Sequence, residues 1–190
     1  MLDRASGSVI HLVRHGLPLQ NTNLPANRWP LHPGGHGEIV ALRESGTLPR
    51  AGSWFSSPEP KALETAQLLT AAPITVVAGL SEMARPAAWY EDFDSLVAQG
   101  LATPDRPAAP GWETAASTLR RVARAINQIA TTHEEDVLIL VGHGTAWTLA
   151  VAALTGAAPD AMAWKRLLFP DYVMIADRKV VSAWGAWAKG

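Results

Sequence analysis

The chain has no cysteine among its 190 residues, and this absence removes several kinds of chemistry at once. Disulfide scaffolds, thiolate zinc sites, iron–sulfur clusters and cysteine nucleophiles all require a thiol. The absence also fits a reducing compartment, and residues 1–8 lack the apolar core of a signal peptide, so we expect a cytoplasmic protein. Histidine is therefore the first candidate for a nucleophile.

An excess of charge of one sign and long apolar runs are missing as well. The 16 basic and 17 acidic side chains leave a net charge of -1, which gives no field to attract nucleic acid or an anionic membrane. No apolar run approaches the roughly 18 residues of a membrane helix. With 48% apolar and 17% charged residues, we expect one core and a single domain over residues 1–190. We expect no nucleic-acid or membrane partner, and the oligomeric state stays open.

Two short apolar runs predict buried strands that end in the same way. Residues 9–13 (VIHLV) precede Arg14-His15-Gly16, and residues 137–141 (VLILV) precede Gly142-His143-Gly144. The second run is apolar throughout, which is typical of a central parallel strand covered on both faces. Each strand therefore delivers a histidine and a glycine to its carboxyl end.

Helical signals alternate with the strands. Ser57-Pro58-Glu59 offers an N-cap serine and a proline at the first helical position, which predicts a helix over about 58–71. Apolar spacing predicts another helix over about 113–133, and residues 74–78 and 167–187 are typical of further strands. This alternation predicts a three-layer α/β sandwich in which helices flank a mainly parallel sheet, with antiparallel strands allowed at its edge.

The two strand-end histidines predict a phosphate site. Adjacent parallel strands would bring His15 and His143 into one crevice at the carboxyl edge of the sheet. Arg14 adds a guanidinium suited to two-point contact with phosphate oxygens. A neutral imidazole can attack phosphorus directly, and side-chain cations can stabilise the equatorial oxygens, so this chemistry needs no metal and no cofactor.

Several ordered motifs resemble those of the histidine phosphatase superfamily, in the branch that contains cofactor-dependent phosphoglycerate mutases. The motifs are Arg14-His15-Gly16 followed by Asn21, the segment LHPGG at 31–35, the segment SSPEPKALETA at 56–66, Leu80-Ser81-Glu82, a looser match at 111–114, and VGHG at 141–144. Five or six motifs in the right order are far more specific than a lone Arg-His-Gly. The resemblance spans most of the chain.

The resemblance implies a role for each matching residue. His15 would be the phosphorylated nucleophile, His143 would contact the phosphoryl oxygens, and Glu82 would be the proton donor. The phosphate-binding positions would be Arg14, Lys61, Asn21 and Gly144. The expected partner is a small phosphorylated metabolite or another phosphoester, and no metal site is expected.

Two departures from the family pattern affect the functional interpretation. Lys61 stands where the family has a second arginine, which keeps the charge but loses the planar fork. Leu17 and Pro18 replace a Glu-Thr pair and remove polar groups beside the nucleophile, which weakens a mutase interpretation. The short chain also favours a phosphatase, because mutases of the family generally carry larger insertions over the site. A mutase, and a catalytically weak phosphate-binding or interaction protein of the same fold, remain the alternatives.

Other noticeable residues receive less specific interpretations. His11 lies within a strand and is expected to be structural, whereas His32 and His36 are expected to be loop histidines near the pocket. Trp29, Trp89 and Trp147 are candidates for an apolar substrate wall. The connection over residues 83–111 is long enough to be a lid or a binding loop.

Overall fold

A mixed β-sheet forms the centre of the protein, as seen in a computed structural model that describes residues 9–133 and 137–189. The six strands of the described sheet are β1 (Ile10–Arg14), β2 (Ser53–Ser56), β3 (Ile74–Val76), β4 (Leu138–Gly142), β5 (Asp171–Ala176) and β6 (Lys179–Ser182). Their order across the sheet is β3-β2-β4-β1-β5-β6. The prediction about a signal peptide at residues 1–8 lies outside the described residues.

The two histidine-bearing strands are direct neighbours. Strands β1 and β4 pair in parallel, with Val13 opposite Val141 and Arg14 opposite Gly142. Strands β2 and β3 continue the parallel part, whereas β5 and β6 are antiparallel. The backbone N–H of His15 donates to the carbonyl of Gly142 at 2.9 Å. This register places both strand ends at the same edge of the sheet, as the sequence predicts.

Helices cover both faces of the sheet. They are α1 (His36–Glu44), α2 (Pro60–Leu69), α3 (Phe93–Ala102), α4 (Ala115–Thr132), α5 (Gly144–Thr155) and α6 (Ala161–Lys165). Side chains alternate along the strands, so Leu12 and Leu140 pack towards α4 and α5, while Val13 and Val141 pack towards α1 and α2. The predicted three-layer α/β sandwich is confirmed. No helix in the described ranges is sufficiently long and apolar to cross a membrane.

The structure corrects two local predictions. Helix α2 begins at Pro60 rather than Pro58, its N-cap is Glu59, and no side chain caps it. Ser57 is instead directed at the site, because its hydroxyl contacts His143. The connection over residues 83–111 is not a bare loop, because it contains α3, whose Val97 and Leu101 are buried in a separate apolar cluster beside α5 and α6.

Candidate active site

A cavity of about 600 Å³ lies at the carboxyl ends of β1 and β4. The predicted site residues that line it are Arg14, His15, Lys61, Glu82, His143 and Gly144. Distant parts of the chain supply these residues, so the fold itself brings them together. Asn21 is the exception, because it is not among the lining residues.

The His15 imidazole is oriented by its own loop. Its Nδ1 lies 2.7 Å from the carbonyl oxygen of Gly16, and a carbonyl can only accept a hydrogen bond. Nδ1 therefore carries the proton in the neutral ring, and Nε2 carries the lone pair. The side chain is only 5% exposed, and burial together with the charges of His143, Lys61 and Arg14 holds the pKa of His15 well below 6.5. The neutral, nucleophilic form is thus favoured at neutral pH.

Arg14 is held near His15 by the turn after α6. Its Nη1 donates to the carbonyls of Leu167 at 2.7 Å and Leu168 at 3.2 Å, and its guanidinium carbon lies 3.6 Å from the centre of the Phe169 ring. That ring also packs against His15, with centroids 5.5 Å apart. Burial lowers the pKa of Arg14 to about 10, so the group stays cationic. Within the described chain, the buried Nε of Arg14 has no hydrogen-bond partner and remains available to a ligand.

The His143 ring stands edge-on to His15, with centroids 5.2 Å apart. It is fully buried, and its Nε2 lies 2.8 Å from the Ser57 hydroxyl and 3.4 Å from Oε1 of Glu59. Burial, followed by the charges of nearby cations including Lys61, holds the pKa of His143 well below 6.5. Nδ1 is buried and lacks a partner among the described residues. One ring nitrogen is therefore engaged and the other is left for a ligand.

Glu82 is anchored at the amino terminus of α5. Its carboxylate accepts hydrogen bonds from the backbone N–H groups of Ala146 at 2.9 Å and Thr145 at 3.1 Å, and from Met83 at 2.9 Å. A helix N-terminus presents free amides and the positive end of a dipole, which favours such an anion. The carboxylate is thereby held beside Gly144 at the cavity wall.

Lys61 is buried in the site, but its charge is already paired. Its Nζ lies 2.5 Å from Oε2 of Glu59 and donates to the carbonyl of Ala26 at 2.7 Å. Burial lowers the pKa of Lys61, and the neighbouring charge of Glu59 opposes that effect. In the sequence, Glu59 stands out only as part of a helix start. That signal is weak, since an acid is ordinary in the first turn of any helix.

Two predicted phosphate-binding positions have different surroundings. Gly144 begins α5, and a Cβ there would lie 3.2 Å from Nε of Arg14, so a side chain would crowd the guanidinium. Asn21 lies on an exposed loop, where its side-chain oxygen accepts from the N–H of Asn23 at 3.0 Å and its carbonyl accepts from Trp29. The structure thus brings Gly144 to the cavity and keeps the Asn21 side chain in a local turn.

Other residues of the motif at 56–66 hold the first loop in place. The hydroxyl of Thr65 accepts from the N–H of Gly16 at 3.0 Å, and the carboxylate of Glu64 accepts from the N–H of Leu31 at 2.7 Å. Helix α2 therefore fixes the backbone on both sides of the loop that follows His15.

The aromatic wall differs in part from the prediction. Trp29 and Trp89 line the cavity, but Trp147 is fully buried in the core, where its Nε1 donates to the carbonyl of Val13 at 2.8 Å. Trp147 does lie on the helix that follows His143, but the prediction that it forms part of the substrate wall is wrong.

Arg85, Trp164 and Phe169 are among the lining residues that sequence reasoning missed. Arg85 lies over the rings of Phe93 at 4.7 Å and Trp112 at 5.8 Å. An arginine three residues after Glu82 was a visible signal, whereas Trp164 and Phe169 come from a distant segment with no recognisable motif.

The remaining histidines lie outside the cavity lining. His11 is buried, its Nδ1 lies 2.9 Å from the hydroxyl oxygen of Tyr172, and burial lowers its pKa to about 4. The His32 side chain accepts from the N–H of Gly34 at 3.0 Å, and His36 begins α1. Across residues 9–133 and 137–189, no group of three or more His, Cys, Asp or Glu residues is arranged to bind a metal ion.

Comparisons with known proteins identify the family and the fold of the chain. Residues 10–173 match the histidine phosphatase superfamily (branch 1). A phosphoserine phosphatase from Entamoeba histolytica, solved with 3-phosphoglyceric acid, has a similar fold with a TM-score of 0.76, 18% identity, and coverage of 94% of this chain and 97% of that chain. A phosphoglycerate mutase from Bacillus anthracis has a TM-score of 0.69, 17% identity, and coverage of 98% and 96% respectively.

A third similar structure is a mycobacterial glucosyl-3-phosphoglycerate phosphatase, with a TM-score of 0.69, 18% identity, and coverage of 88% of this chain and 89% of that chain. A search of curated proteins finds no significant match. The family match covers most of the chain and includes both histidine-bearing strands and α2. The chain therefore belongs to the histidine phosphatase superfamily, branch 1, whose members are phosphatases and mutases.

Proposed function

We propose that the protein is a phosphomonoester hydrolase that works through a phosphohistidine at His15. The observation that carries this proposal is the orientation of the His15 ring, with Nδ1–H directed to Gly16 and a lone pair on Nε2 inside a cavity that also holds Arg14 and His143. A buried, neutral imidazole beside fixed cations suits attack on a phosphoryl group.

In the first step, Nε2 of His15 forms a bond to phosphorus while the ester P–O bond breaks. The leaving alkoxide takes a proton from the carboxyl group of Glu82, which lines the same cavity. Arg14 and Lys61 donate to the phosphoryl oxygens, and the free Nδ1 of His143 contacts the same group. The first products are the alcohol and phosphohistidine.

In the second step, a water oxygen forms a bond to phosphorus while the P–Nε2 bond breaks. Glu82, left as a carboxylate by the first step, takes the proton of the attacking water. Orthophosphate leaves, and His15 and Glu82 return to their starting protonation states. The amides of α5 hold the Glu82 side chain in place for both transfers.

The surroundings of His15 favour hydrolysis over a mutase reaction. Leu17 does not line the cavity and Pro18 does, so neither residue offers a polar side chain beside His15 to retain a sugar acid between transfers. The next polar lining residues of this loop are Gln20 and Thr22. Chain length does not support the distinction, because the Bacillus anthracis phosphoglycerate mutase has about the same length.

The aromatic part of the cavity wall supports a phosphorylated small molecule with a ring or an apolar part. Trp29, Trp89, Tyr90 and Trp164 line it together with the cation Arg85. Phosphoserine and 3-phosphoglyceric acid are bound in structures of a fold relative, which supports small phosphorylated substrates in general.

The proposed function is tested by hydrolysis of an activated aryl phosphate in the presence of a chelator. We expect turnover without added metal, and loss of turnover in the His15→Ala variant. A strict requirement for magnesium or zinc, or full activity of His15→Ala, would contradict the proposal.

A further inference from the structure

Glu59 contacts three groups of the proposed site at once. Its Oε2 pairs with Nζ of Lys61 at 2.5 Å, and its Oε1 lies 3.4 Å from Nε2 of His143. The same Oε1 accepts a hydrogen bond from the backbone N–H of Glu82 at 2.8 Å. The side chain is only 6% exposed, so these contacts are made in a poorly solvated environment where charge matters most.

The backbone fixes the position of Glu59. Pro58 and Pro60 flank it, and its carbonyl accepts from the N–H groups of Ala62 at 2.9 Å and Leu63 at 3.1 Å as the N-cap of α2. Proline restricts both its own φ and the residue before it. The carboxylate is therefore presented from a rigid base.

The Glu59 carboxylate is already paired with Lys61, the cation that would also bind a phosphoryl group. Lys61 has three N–H donors, of which one is directed to Glu59 and one to Ala26. A phosphoryl oxygen must therefore share Lys61 with a carboxylate that is buried beside it. This competition weakens binding most for the most highly charged form of the ligand.

The charge of Glu59 also favours one of the two neutral tautomers of His143. An ionised carboxylate 3.4 Å from Nε2 favours a proton on that nitrogen, and the Ser57 hydroxyl oxygen, 2.8 Å from Nε2, can accept a hydrogen bond from it. In the neutral ring, Nδ1 then carries a lone pair, and Nδ1 is the buried nitrogen without a partner among the described residues. Such a nitrogen accepts a hydrogen bond from a P–OH group and repels an unprotonated phosphoryl oxygen.

We propose that Glu59 is a positioning residue that makes this site select the monoanionic, protonated form of the phosphoryl group and weakens its hold on the dianion. The proposal rests on the proposed phosphate site between His15 and Lys61. Equivalently, the dianion binds together with one proton, which resides between Nδ1 of His143 and the ligand. The charged and titratable groups around His143 are Arg14, His15, Glu59, Lys61, Glu82, Arg85 and Arg121.

Binding of inorganic phosphate to the intact protein tests the proposal. Calorimetric titrations at pH 5.5 and pH 8 would compare the wild type with Glu59→Gln, because a phosphate group changes from monoanion to dianion with a pKa of about 6 to 7. The amide carries no charge and can donate to Nε2 of His143, which frees Nδ1–H to donate to the dianion. We expect Glu59→Gln to bind phosphate more tightly at pH 8, on the order of tenfold, with a smaller gain at pH 5.5.

The matched control is Glu38→Gln, which removes the same charge from an exposed position on α1. We expect it to bind phosphate as the wild type does at both pH values. Equal or weaker binding by Glu59→Gln at pH 8, or a gain that does not grow with pH, would overturn the proposal.

A second variant guards against misfolding, because Glu59→Gln leaves Lys61 as a buried charge without its counterion. In Lys61→Met the carboxylate of Glu59 remains and repels phosphate, whereas the double variant Glu59→Gln/Lys61→Met removes both charges. We expect the double variant to bind phosphate several-fold more tightly than Lys61→Met, and a result in which it binds no better would contradict the competition. Because these titrations measure binding without turnover, failure of the hydrolase proposal is recognised separately by the His15→Ala assay.

Discussion

At the scale of single residues, the site depends on buried polar groups that the backbone orients. Carbonyls position His15 and Arg14, and backbone N–H groups position Glu82. Such groups keep their geometry without a ligand, so little reorganisation is needed when a phosphoryl group arrives.

Substitution of Lys61 tests whether this lysine, which stands where the family has an arginine, binds the phosphoryl group. Removal of one transition-state charge contact typically lowers the rate by 10²- to 10³-fold, about 3 to 4 kcal/mol. We expect Lys61→Met to lose about that much in kcat/KM, and Lys61→Arg to retain partial activity or better because a guanidinium keeps the charge and has N–H donors for both Glu59 and a phosphoryl oxygen. Steady-state kinetics with a circular dichroism check of folding would measure both. Turnover of folded Lys61→Met at the wild-type rate would remove this position from the site.

Glu82→Gln separates proton donation from positioning. The amide cannot donate a proton to a leaving group, so we expect hydrolysis of an alkyl phosphate to fall about 10²-fold or more, and that of an aryl phosphate with a good leaving group to fall far less. The side-chain amide nitrogen also cannot accept from the N–H of Thr145 or Ala146, so the substitution removes part of the anchoring at α5. Equal losses on the two substrates would identify Glu82 as an anchor of α5 rather than an acid.

At the scale of elements, the connection over residues 83–111 has two parts, one that lines the cavity and one that packs into the apolar core. Its first part carries Arg85, Trp89 and Tyr90 to the cavity, while α3 packs Val97 and Leu101 into an apolar cluster. Deletion of the whole segment would therefore remove core as well as wall. A single substitution at its exposed tip is the cleaner test.

Trp89 is 58% exposed and lines the cavity, so its truncation should change substrate preference without unfolding the chain. We expect Trp89→Ala to raise KM for phosphomonoesters with a large ring or apolar group, and to leave hydrolysis of a small aryl phosphate nearly intact. Met162→Ala, at an exposed position on α6 that does not line the cavity, is the control. An unchanged preference across a substrate panel would show that Trp89 does not contact the substrate.

The sequence predicts the two histidine-bearing strands well, because a short apolar run that stops at a histidine and a glycine is typical of a buried strand ending in a tight loop. The start of α2 is less certain, since Pro58 and Pro60 both suit the first turn, and the structure begins the helix at the second. Glu59 escaped the prediction because its contacts with His143 and with the backbone of Glu82 join distant parts of the sequence and exist only in the folded chain.

At the scale of the whole molecule, stability should depend on pH through histidines that are buried in their neutral form. Burial lowers the pKa of His11 from 6.5 to about 4, and holds those of His15 and His143 well below 6.5. The unfolded chain binds more protons than the native state below pH 6.5, so protonation favours unfolding there. These residues therefore lower the free energy of unfolding as the pH falls below 6.5, and they do not make it depend on pH above that value.

His11 allows a direct test, because it lies outside the cavity. We expect its titration to remove about 3 kcal/mol from the free energy of unfolding between pH 6.5 and pH 4. In His11→Phe, urea unfolding at several pH values should show that the free energy of unfolding declines less steeply over that range. Loss of the contact with Tyr172 would lower it by the same amount at every pH and would not change this slope. The same slope in both proteins would mean that His11 does not titrate as the structure indicates.

Direct trapping of the phosphoenzyme is the most direct test of a nucleophilic His15. Rapid mixing with a phosphate-labelled aryl ester, followed by an alkaline quench, should give a protein-bound phosphoryl group that is lost in acid. The label should map to His15, be absent from His15→Ala, and persist in His36→Ala, where an exposed histidine outside the cavity lining is removed. Labelling that survives in His15→Ala, or wild-type turnover with no trapped phosphoryl group under conditions that trap other phosphohistidines, would contradict a phosphohistidine mechanism at His15.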